Sequence, residues 1–241
     1  SKLSLMVVTA QAMRAALRAL GNKDIAAHSA RFFKTGKGEY GEGDRFLGIR
    51  IPIIRKHVRK FRDAPERAVL AMLRSPYHEE RLFAALLLVD QFERGDDDDK
   101  ARIYALYMRN RDYVNNWDIV DSSAHKIAGP WLQDRDRGVL YELVDSESVW
   151  DRRIAIIATF HFIRECDFAD ALKIAARLRD DEHDLIHKAV GWMLREVGNR
   201  DRDVEERFLK KHYPKMPRTM LRYAIEKFPE PRRKAYLNGT V

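Results

Sequence analysis

Five short segments recur along the chain at a nearly constant spacing. They begin at Phe83, Asp118, Arg153, Lys188 and Arg222, so successive segments start 35, 35, 35 and 34 residues apart. The two residues that follow each of these positions are mostly small or branched and apolar. A period of about 35 residues that holds two helices is typical of HEAT-like repeats. We therefore predict an all-α fold, an α-solenoid of HEAT-like helical repeats, with residues 1–241 forming one repeat domain.

The rest of the chain also has the pattern of an all-helical protein. Strand-like alternation is absent, and Gly and Pro stand mostly between periodic segments. The acidic run from Asp96 to Asp99 lacks the spaced ligands of a calcium loop, so we interpret it as a helix start. The pattern predicts helices at 9–20 and 23–34, a basic helix opened by Pro52, and helices near 66–73, 78–93, 98–111, 116–127, 136–144, 149–164, 167–179, 184–198, 201–212, 217–227 and 230–237.

The net charge and the cysteine content indicate which kinds of molecule the protein binds and which cellular compartment it occupies. The net charge is +8 and the pI is about 9.5, which favours a polyanionic partner, although a generally basic protein has the same balance. The longest uncharged apolar run, from Phe83 to Val89, is too short to cross a bilayer, so we predict no membrane partner. The single cysteine, Cys166, fits a reducing, cytoplasmic location, and we expect it to pack in the core.

A glycine-rich segment, 35–44, follows the second predicted helix. Its Gly-x-Gly spacing also occurs in loops that bind the phosphates of dinucleotides, but such loops follow a strand, and no strand is predicted here. We therefore predict a flexible surface loop.

One stretch in the middle of the chain holds an indole and two carboxylates within five residues. Trp117 and Asp121 are four residues apart, so on a helix they share one face, which can hold a flat cation. In the 35-residue register, Arg153, Lys188 and Trp192 occupy neighbouring positions, so stacked repeats would bring all five to one surface, often the concave one. Core packing of the indoles, ion pairing of Asp121 or Arg153, and a solvated Lys188 are the alternatives.

Four segments carry a resemblance to a known family. Two are quite specific in this order: Trp-Asp-x-Val-Asp at 117–121 and Lys-Ala-x-Gly-Trp-x-Leu-Arg-Glu at 188–196. The other two are Phe-Leu-Gly-Ile-Arg-Ile-Pro at 46–52 and Val-Trp-Asp-Arg-Arg-Ile-Ala at 149–155. From about residue 9 to residue 237, the chain resembles the DNA alkylation repair glycosylases of the AlkD type, which are built from HEAT-like repeats.

The resemblance implies a monofunctional glycosylase that hydrolyses the N-glycosidic bond of N3- and N7-alkylated purines in duplex DNA, without drawing the base into a pocket. By motif position it implies that Asp121 is the catalytic carboxylate and that Trp117 and Trp192 are aromatic walls on the lesion's sugar and backbone. It also implies that Arg153 contacts the DNA backbone. Phe32 stands near the place where active relatives can have a tyrosine, so a DNA contact there lacks the hydroxyl.

Basic residues toward both ends of the predicted solenoid are further candidates for contacts with DNA phosphates. The histidines lack the spacing of a metal-ligand set, so we expect no metal and no other cofactor. We expect a monomer whose partner is double-stranded DNA with alkylated bases. Together with Lys188, the basic candidates are Arg55, Arg59, Arg218 and Arg222.

Two other functions stay open at this point. One is a non-catalytic HEAT-repeat protein that binds unusual DNA structures. Other residues at the Trp and Asp positions would favour this function, but Trp117, Asp121 and Trp192 are present. The other is a protein-interaction scaffold, which predicts an apolar or acidic concave face, whereas the concave, DNA-binding face predicted here is basic and aromatic.

Overall fold

Fourteen α-helices and two short 3₁₀ helices form the regular structure of residues 7–241, the range that this computed structural model describes. No β-strand lies within this range, where one isolated parallel bridge joins Arg45 and Tyr77. The predicted all-α fold of helical repeats is confirmed, whereas its basic concave face stays a prediction. The helices are α1 (Ala10–Arg18), α2 (Lys23–Phe32), α3 (Ile51–Lys60), α4 (Glu66–Leu73), α5 (His78–Arg94), α6 (Asp97–Arg109), α7 (Trp117–Leu132), α8 (Gly138–Val144), α9 (Val149–Arg164), α10 (Ala169–Leu178), α11 (Asp184–Arg200), α12 (Arg202–His212), α13 (Arg218–Ala224) and α14 (Glu230–Asn238), with 3₁₀ helices at Arg111–Tyr113 and Tyr213–Lys215.

The 35-residue register corresponds to alternate helices. Its five starting residues lie in α5, α7, α9, α11 and α13, so one period holds one of these helices and the helix before it. Most observed helices also begin and end within a few residues of their predicted positions. The longest described helices have 17 residues, and none in the described range has the length and apolar character to traverse a bilayer.

Helix α7 is longer than the sequence predicts, because it continues through Gly129 and Pro130 to Leu132. Proline has no N–H and its ring crowds the preceding turn, so it usually ends a helix. Here a Cβ atom on Gly129 would lie 2.5 Å from the Cβ of His161 and 2.8 Å from the carbonyl oxygen of Ala158. Helix α9 thus packs directly on this turn, and Leu132 beyond the proline is buried. Tertiary packing offsets the cost of the proline.

The chain divides into two compact units, one ending at Ser123 and one beginning at Ala124, and their boundary falls inside α7. The prediction of a single domain stays a prediction. In the first unit, α5 packs against α3, α4 and α6. Every side chain from Leu82 to Leu88 is at most 5% exposed, as expected for a helix that protein surrounds on all sides.

In the second unit, α9 and α11 are the central helices. Helix α9 packs against α8, α10 and α11, and α11 also packs against α12 and α13. A Cβ atom on Gly191 would lie 2.5 Å from both the Met220 carbonyl oxygen and the Tyr223 Cβ. The glycine of the fourth motif therefore permits the close approach of α11 and α13.

Side-chain caps explain where several helices begin. Thr9, Asn22 and Ser148 each accept a backbone N–H at the start of α1, α2 and α9. The acidic run forms a reciprocal capping box between Asp96 and Asp99 at the start of α6. Its prediction as a helix start is confirmed.

The prediction that Cys166 packs in the core is wrong, because the residue is exposed. Cys166 follows the end of α9 and has a φ of 57°. The backbone N–H groups of Cys166 and Asp167 bond the carbonyls of Ile163 and Phe162. The chain thus closes the last turn of α9 by a left-handed residue, a common way to satisfy terminal carbonyls, and this places the thiol outside.

Candidate functional site

The Trp-Asp-x-Val-Asp motif forms the first turns of α7. The carbonyl oxygen of Asn116 accepts the N–H of Val120, and its side-chain oxygen accepts the N–H of Trp117. Trp117 therefore occupies the first position of the helix, and Asp121 follows one turn later, as predicted. The positive end of the helix dipole favours carboxylates in this region.

Trp117 belongs to an aromatic cluster that the sequence pattern does not predict. The cluster consists of Phe32, Phe33, Phe46, His78 and Trp117. The Phe33 ring stacks on the indole with centroids 5.3 Å apart, and Phe32 meets the indole edge-on at 6.0 Å. Phe33 and Phe46 also lie 4.6 and 4.7 Å from the His78 ring. Trp117 is thus half-buried, while Phe32 is 57% exposed and presents an aromatic surface to solvent.

Asp121 is half-buried and lies near the hydroxyl of Tyr107. Burial raises the pKa of Tyr107, and the negative charge of Asp121 raises it further. The Tyr107 hydroxyl shares a 2.8 Å hydrogen bond with Ser123 Oγ and is fully buried. Asp121 is therefore a partly exposed carboxylate near a buried polar pair, and a carboxylate with this exposure can stabilise a bound cation.

Asp118, the other carboxylate of the motif, is only 7% exposed. Its Oδ2 atom accepts a 2.7 Å hydrogen bond from His78 Nε2, and its Oδ1 atom accepts the N–H of Ile119. Asp118 is thus a buried carboxylate, and each of its two oxygens accepts a hydrogen bond.

Four consecutive ionisable residues, His78 to Arg81, begin α5, and all are buried. We did not predict this buried cluster, although the sequence carries a signal for it: four ionisable residues stand directly before the apolar run of α5. Isolated buried charges are rare because they need partners. Such a cluster next to a core run therefore predicts a buried ionic network.

The 46–52 segment of the resemblance has a structural role in the first unit. Glu79 accepts the backbone N–H groups of Leu47, Gly48 and Ile49 at 2.9, 2.6 and 3.1 Å. Gly48 has a φ of 82°, and a Cβ atom there would lie 2.0 Å from the Asn22 carbonyl oxygen. Only glycine fits this crossing of the backbone.

The glycine-rich segment 35–44 ends at Asp44, whose carboxylate is buried. The Asp44 side chain is 8% exposed and bonds both His78 and Arg81. Burial tends to raise the pKa of Asp44, but His78 and Arg81 outweigh burial and lower it. The segment therefore has a defined link to α5 at its end.

Trp192 lies in the second unit, half-buried on α11. Its ring lies 5.6 Å from Phe160, and its indole N–H donates to Glu196 Oε1 at 3.3 Å. The guanidinium carbon of Arg164 lies 3.8 Å from the centre of the Phe160 ring. Burial and the nearby charge of Arg200 lower the pKa of Arg164. Trp192 thus belongs to an aromatic and basic cluster.

Arg153 and Lys188 differ in exposure. Arg153 is 5% exposed, and its Nη1 group donates to the carbonyl oxygen of Leu185 at 2.5 Å. This hydrogen bond links α9 to α11. The Lys188 side chain is 40% exposed and pairs with Asp184 at 3.0 Å. Of the two residues, only Lys188 has its charge near solvent.

The four basic residues predicted near the chain ends are all exposed. Arg55 and Arg59 lie on α3, whose exposed face has no acidic residue. Arg218 and Arg222 lie on α13, and Arg218 donates to the carbonyl oxygen of Leu237. These positions leave their positive charge available to a polyanion.

Comparison with known proteins gives a family and a fold. The family model described as "DNA alkylation repair enzyme" matches residues 13–228. Among solved structures, one described as a predicted DNA alkylation repair enzyme from Enterococcus faecalis is similar with a TM-score of 0.65. It is 18% identical, and the match covers 87% of this chain and 97% of that chain. No curated protein matches the chain.

Proposed function

Because the chain belongs to the DNA alkylation repair enzyme family, we propose that it is a monofunctional DNA glycosylase for alkylated purines. Its substrate is duplex DNA that carries N3- or N7-alkylated purines, and its reaction is hydrolysis of the N-glycosidic bond. The observation that carries this proposal is the half-buried carboxylate of Asp121, one helical turn from the indole of Trp117.

The chemistry of the substrate suits these residue types. An N3- or N7-alkylated purine is already cationic, so it leaves readily and does not require a strong acid catalyst. As the bond breaks, positive charge develops on the deoxyribose, as in other glycosyl transfers. The carboxylate of Asp121 stabilises that charge and orients the attacking water. The family resemblance further implies that the base need not enter a pocket, unlike the substrates of most base-processing enzymes.

Aromatic rings are proposed to hold the sugar against Asp121. Trp117 is supported from behind by the stacked ring of Phe33, which keeps the indole in one orientation. Phe32 lies edge-on to the same indole and is 57% exposed. Ring faces attract cations and stack on nucleic acid, so Trp117 contacts the sugar and Phe32 contacts the DNA beside it. Trp192 is assigned the second aromatic wall by its motif position.

The remaining candidates are proposed to bind the DNA backbone. Lys188, Arg55 and Arg59 have exposed or half-exposed side chains, and phosphate contacts of this kind supply affinity without sequence preference. Arg218 and Arg222 on α13 are assigned the same role. Arg153 is assigned by motif position alone, and its bond to Leu185 would have to open for it to reach a phosphate.

The test is incubation of the protein with duplex DNA that contains 7-methylguanine or 3-methyladenine, with an unmodified duplex as the control. Release of free base, with strands that break only on alkali treatment, supports a monofunctional glycosylase. Binding to the lesion duplex without release would refute catalysis and favour a non-catalytic DNA-binding protein. Absence of both binding and release would refute a role on DNA and favour a protein scaffold.

A further inference from the structure

The four buried residues at the start of α5 form hydrogen bonds with two different sets of partners. Glu79 bonds the backbone of residues 47–49, and Glu80 bonds Arg18 of α1. His78 and Arg81 instead bond Asp44. All four are at most 4% exposed, and charges so far from water persist only where partners compensate for the lost hydration.

We define the His78 cluster as the side chains of Asp44, His78, Arg81 and Asp118. His78 Nδ1 lies 2.9 Å from Asp44 Oδ2, and His78 Nε2 lies 2.7 Å from Asp118 Oδ2. Arg81 Nη2 donates to Asp44 Oδ1 at 2.8 Å, and Arg81 Nε donates to Asn115 Oδ1 at 3.0 Å. Two carboxylates thus face two cationic groups, which makes the cluster close to neutral as a whole.

The geometry requires a doubly protonated imidazole. A neutral ring has one N–H, so one of its nitrogens would face a carboxylate oxygen without a proton between them. The imidazolium donates to both carboxylates. Burial alone would lower the pKa of His78, but Asp118 and then Asp44 outweigh burial and raise it to about 9. Those two carboxylates are the charged groups that face the ring among the described residues, and its other contacts are the rings of Phe33 and Phe46.

The His78 cluster reaches the proposed catalytic surface by two routes. Asp118 directly follows Trp117 on the first turn of α7, and Asp121 lies three residues further. The second route is Phe33, whose ring lies 4.6 Å from the His78 ring and 5.3 Å from the indole of Trp117. A single buried ring therefore supports both the backbone and the side chain of the helix start.

We propose that His78 is a positioning residue: by joining Asp118 to Asp44, it fixes the first turn of α7 and so the orientation of Trp117 and Asp121. This inference rests on the proposed base release. His78 is 2% exposed and acts through Asp118 and Phe33, not by contact with the substrate. Loss of one ring proton leaves a carboxylate without its donor and loosens the start of α7.

The first measurement uses the wild-type chain and needs no DNA. The chain contains four tryptophans, which are replaced by 5-fluorotryptophan and observed by ¹⁹F NMR, with Trp117→Phe used only to assign one resonance. We expect the Trp117 resonance to titrate with a midpoint near pH 9, the pKa of His78. The other three resonances report any global unfolding over the same range. A Trp117 resonance that does not titrate below the pH of unfolding would overturn the positioning role.

The second measurement compares two neighbouring buried residues. His78→Gln removes the imidazolium, while Glu80→Gln alters a residue of the same turn that bonds Arg18 and Ser75. Both variants are expected to lose stability. Only His78→Gln is expected to slow single-turnover release of 7-methylguanine, by about 10- to 100-fold, with the Kd for DNA within about threefold of wild type. It should also abolish the Trp117 titration.

The outcomes separate the positioning role from the proposed function. Release by His78→Gln at the rate of Glu80→Gln, when both are folded, would overturn the positioning role alone. Wild-type protein that releases no base would overturn the proposed function, and the positioning role with it. If His78→Gln does not fold, the wild-type protein alone tests the positioning role. Titration of the Trp117 resonance and a base-release rate that falls above pH 9 would support it. A release rate that stays unchanged to pH 10 would overturn it.

Discussion

Replacement of Asp121 by asparagine is the sharpest test of the proposed chemistry. The change keeps the size of the side chain and removes its charge. Unit charges about 4 Å apart interact by roughly 4 kcal/mol at an effective dielectric constant of about 20, which is appropriate for a half-buried group such as Asp121. Removal of one well-placed electrostatic stabiliser costs about 100- to 1000-fold in rate, or about 2.7–4 kcal/mol. We therefore expect Asp121→Asn to release 7-methylguanine at least about 100-fold more slowly.

The assay is single-turnover release of free 7-methylguanine from a duplex, with protein in excess over DNA. Binding is measured separately on a duplex with a stable abasic analogue, where we expect the Kd of Asp121→Asn to stay within about threefold of wild type. Ser122→Ala is the matched control, because Ser122 is the adjacent residue on α7 and its hydroxyl donates to the carbonyl oxygen of Asp118 in the same helix. Its removal should leave release nearly unchanged. Release by folded Asp121→Asn within about threefold of wild type would refute the catalytic assignment.

Three further predictions concern stability and DNA affinity. Gly48→Ala should lower the free energy of unfolding by about 2–4 kcal/mol, because a Cβ meets the neighbouring backbone at a φ of 82°, whereas Gly38→Ala, with open space at a φ of 78°, should cost only about 1 kcal/mol. Burial raises the pKa of Glu205 from 4.5 to about 9. The contribution of Glu205 to the free energy of unfolding therefore falls as the pH rises between these two values. Glu205→Gln should raise the free energy of unfolding by at least about 1 kcal/mol at pH 8 but change it little at pH 4. Double replacement of Arg55 and Arg59 by glutamine should reduce the slope of log affinity against log salt by about 2.

Each of these predictions has a measurement and a contrary outcome. Urea unfolding compares the two glycine variants, and equal losses would contradict the argument from the close backbone contact. For Glu205→Gln, the same change at pH 4 and pH 8 would show that the carboxyl does not stay protonated in the folded chain. For the double arginine variant, Arg62→Gln is the control, because Arg62 already pairs with Asp90 at 2.9 Å. An equal effect of that control on the salt slope would contradict a local phosphate contact.

Much of the helical architecture follows from local sequence. The N-cap of α1 at Thr9 and the capping box at Asp96 mark helix starts through hydrogen bonds within a few residues. Pro52 marks the start of α3 because its ring fixes φ near the helical value. Such signals do not depend on the rest of the fold. The end of α7 was misplaced for the opposite reason: the tolerance of Pro130 depends on Gly129 and on its contact with α9, about thirty residues away in the chain.

The candidate site divides in the same way. The sequence determined that Trp117 and Asp121 share a face, because a helix places residues four apart on one side. The groups that support these two residues are known only from the folded chain: the ring of Phe33 and the hydrogen bond from His78 to Asp118. These contacts join α5 and α7 to the residue that directly follows α2, and no local pattern specifies which distant partners meet.

The family resemblance, the all-α fold and the period of the repeats follow from the amino-acid sequence alone, because helix periodicity and capping are local properties of the chain. The tertiary structure decided which charges are buried. His78 and Asp44 are both ionisable, stand 34 residues apart and would each be expected at a surface. Their burial is stable because the hydrogen bond and the opposite charge of each residue replace the water that the other loses. That replacement exists only when α5, the 35–44 segment and the start of α7 are packed together.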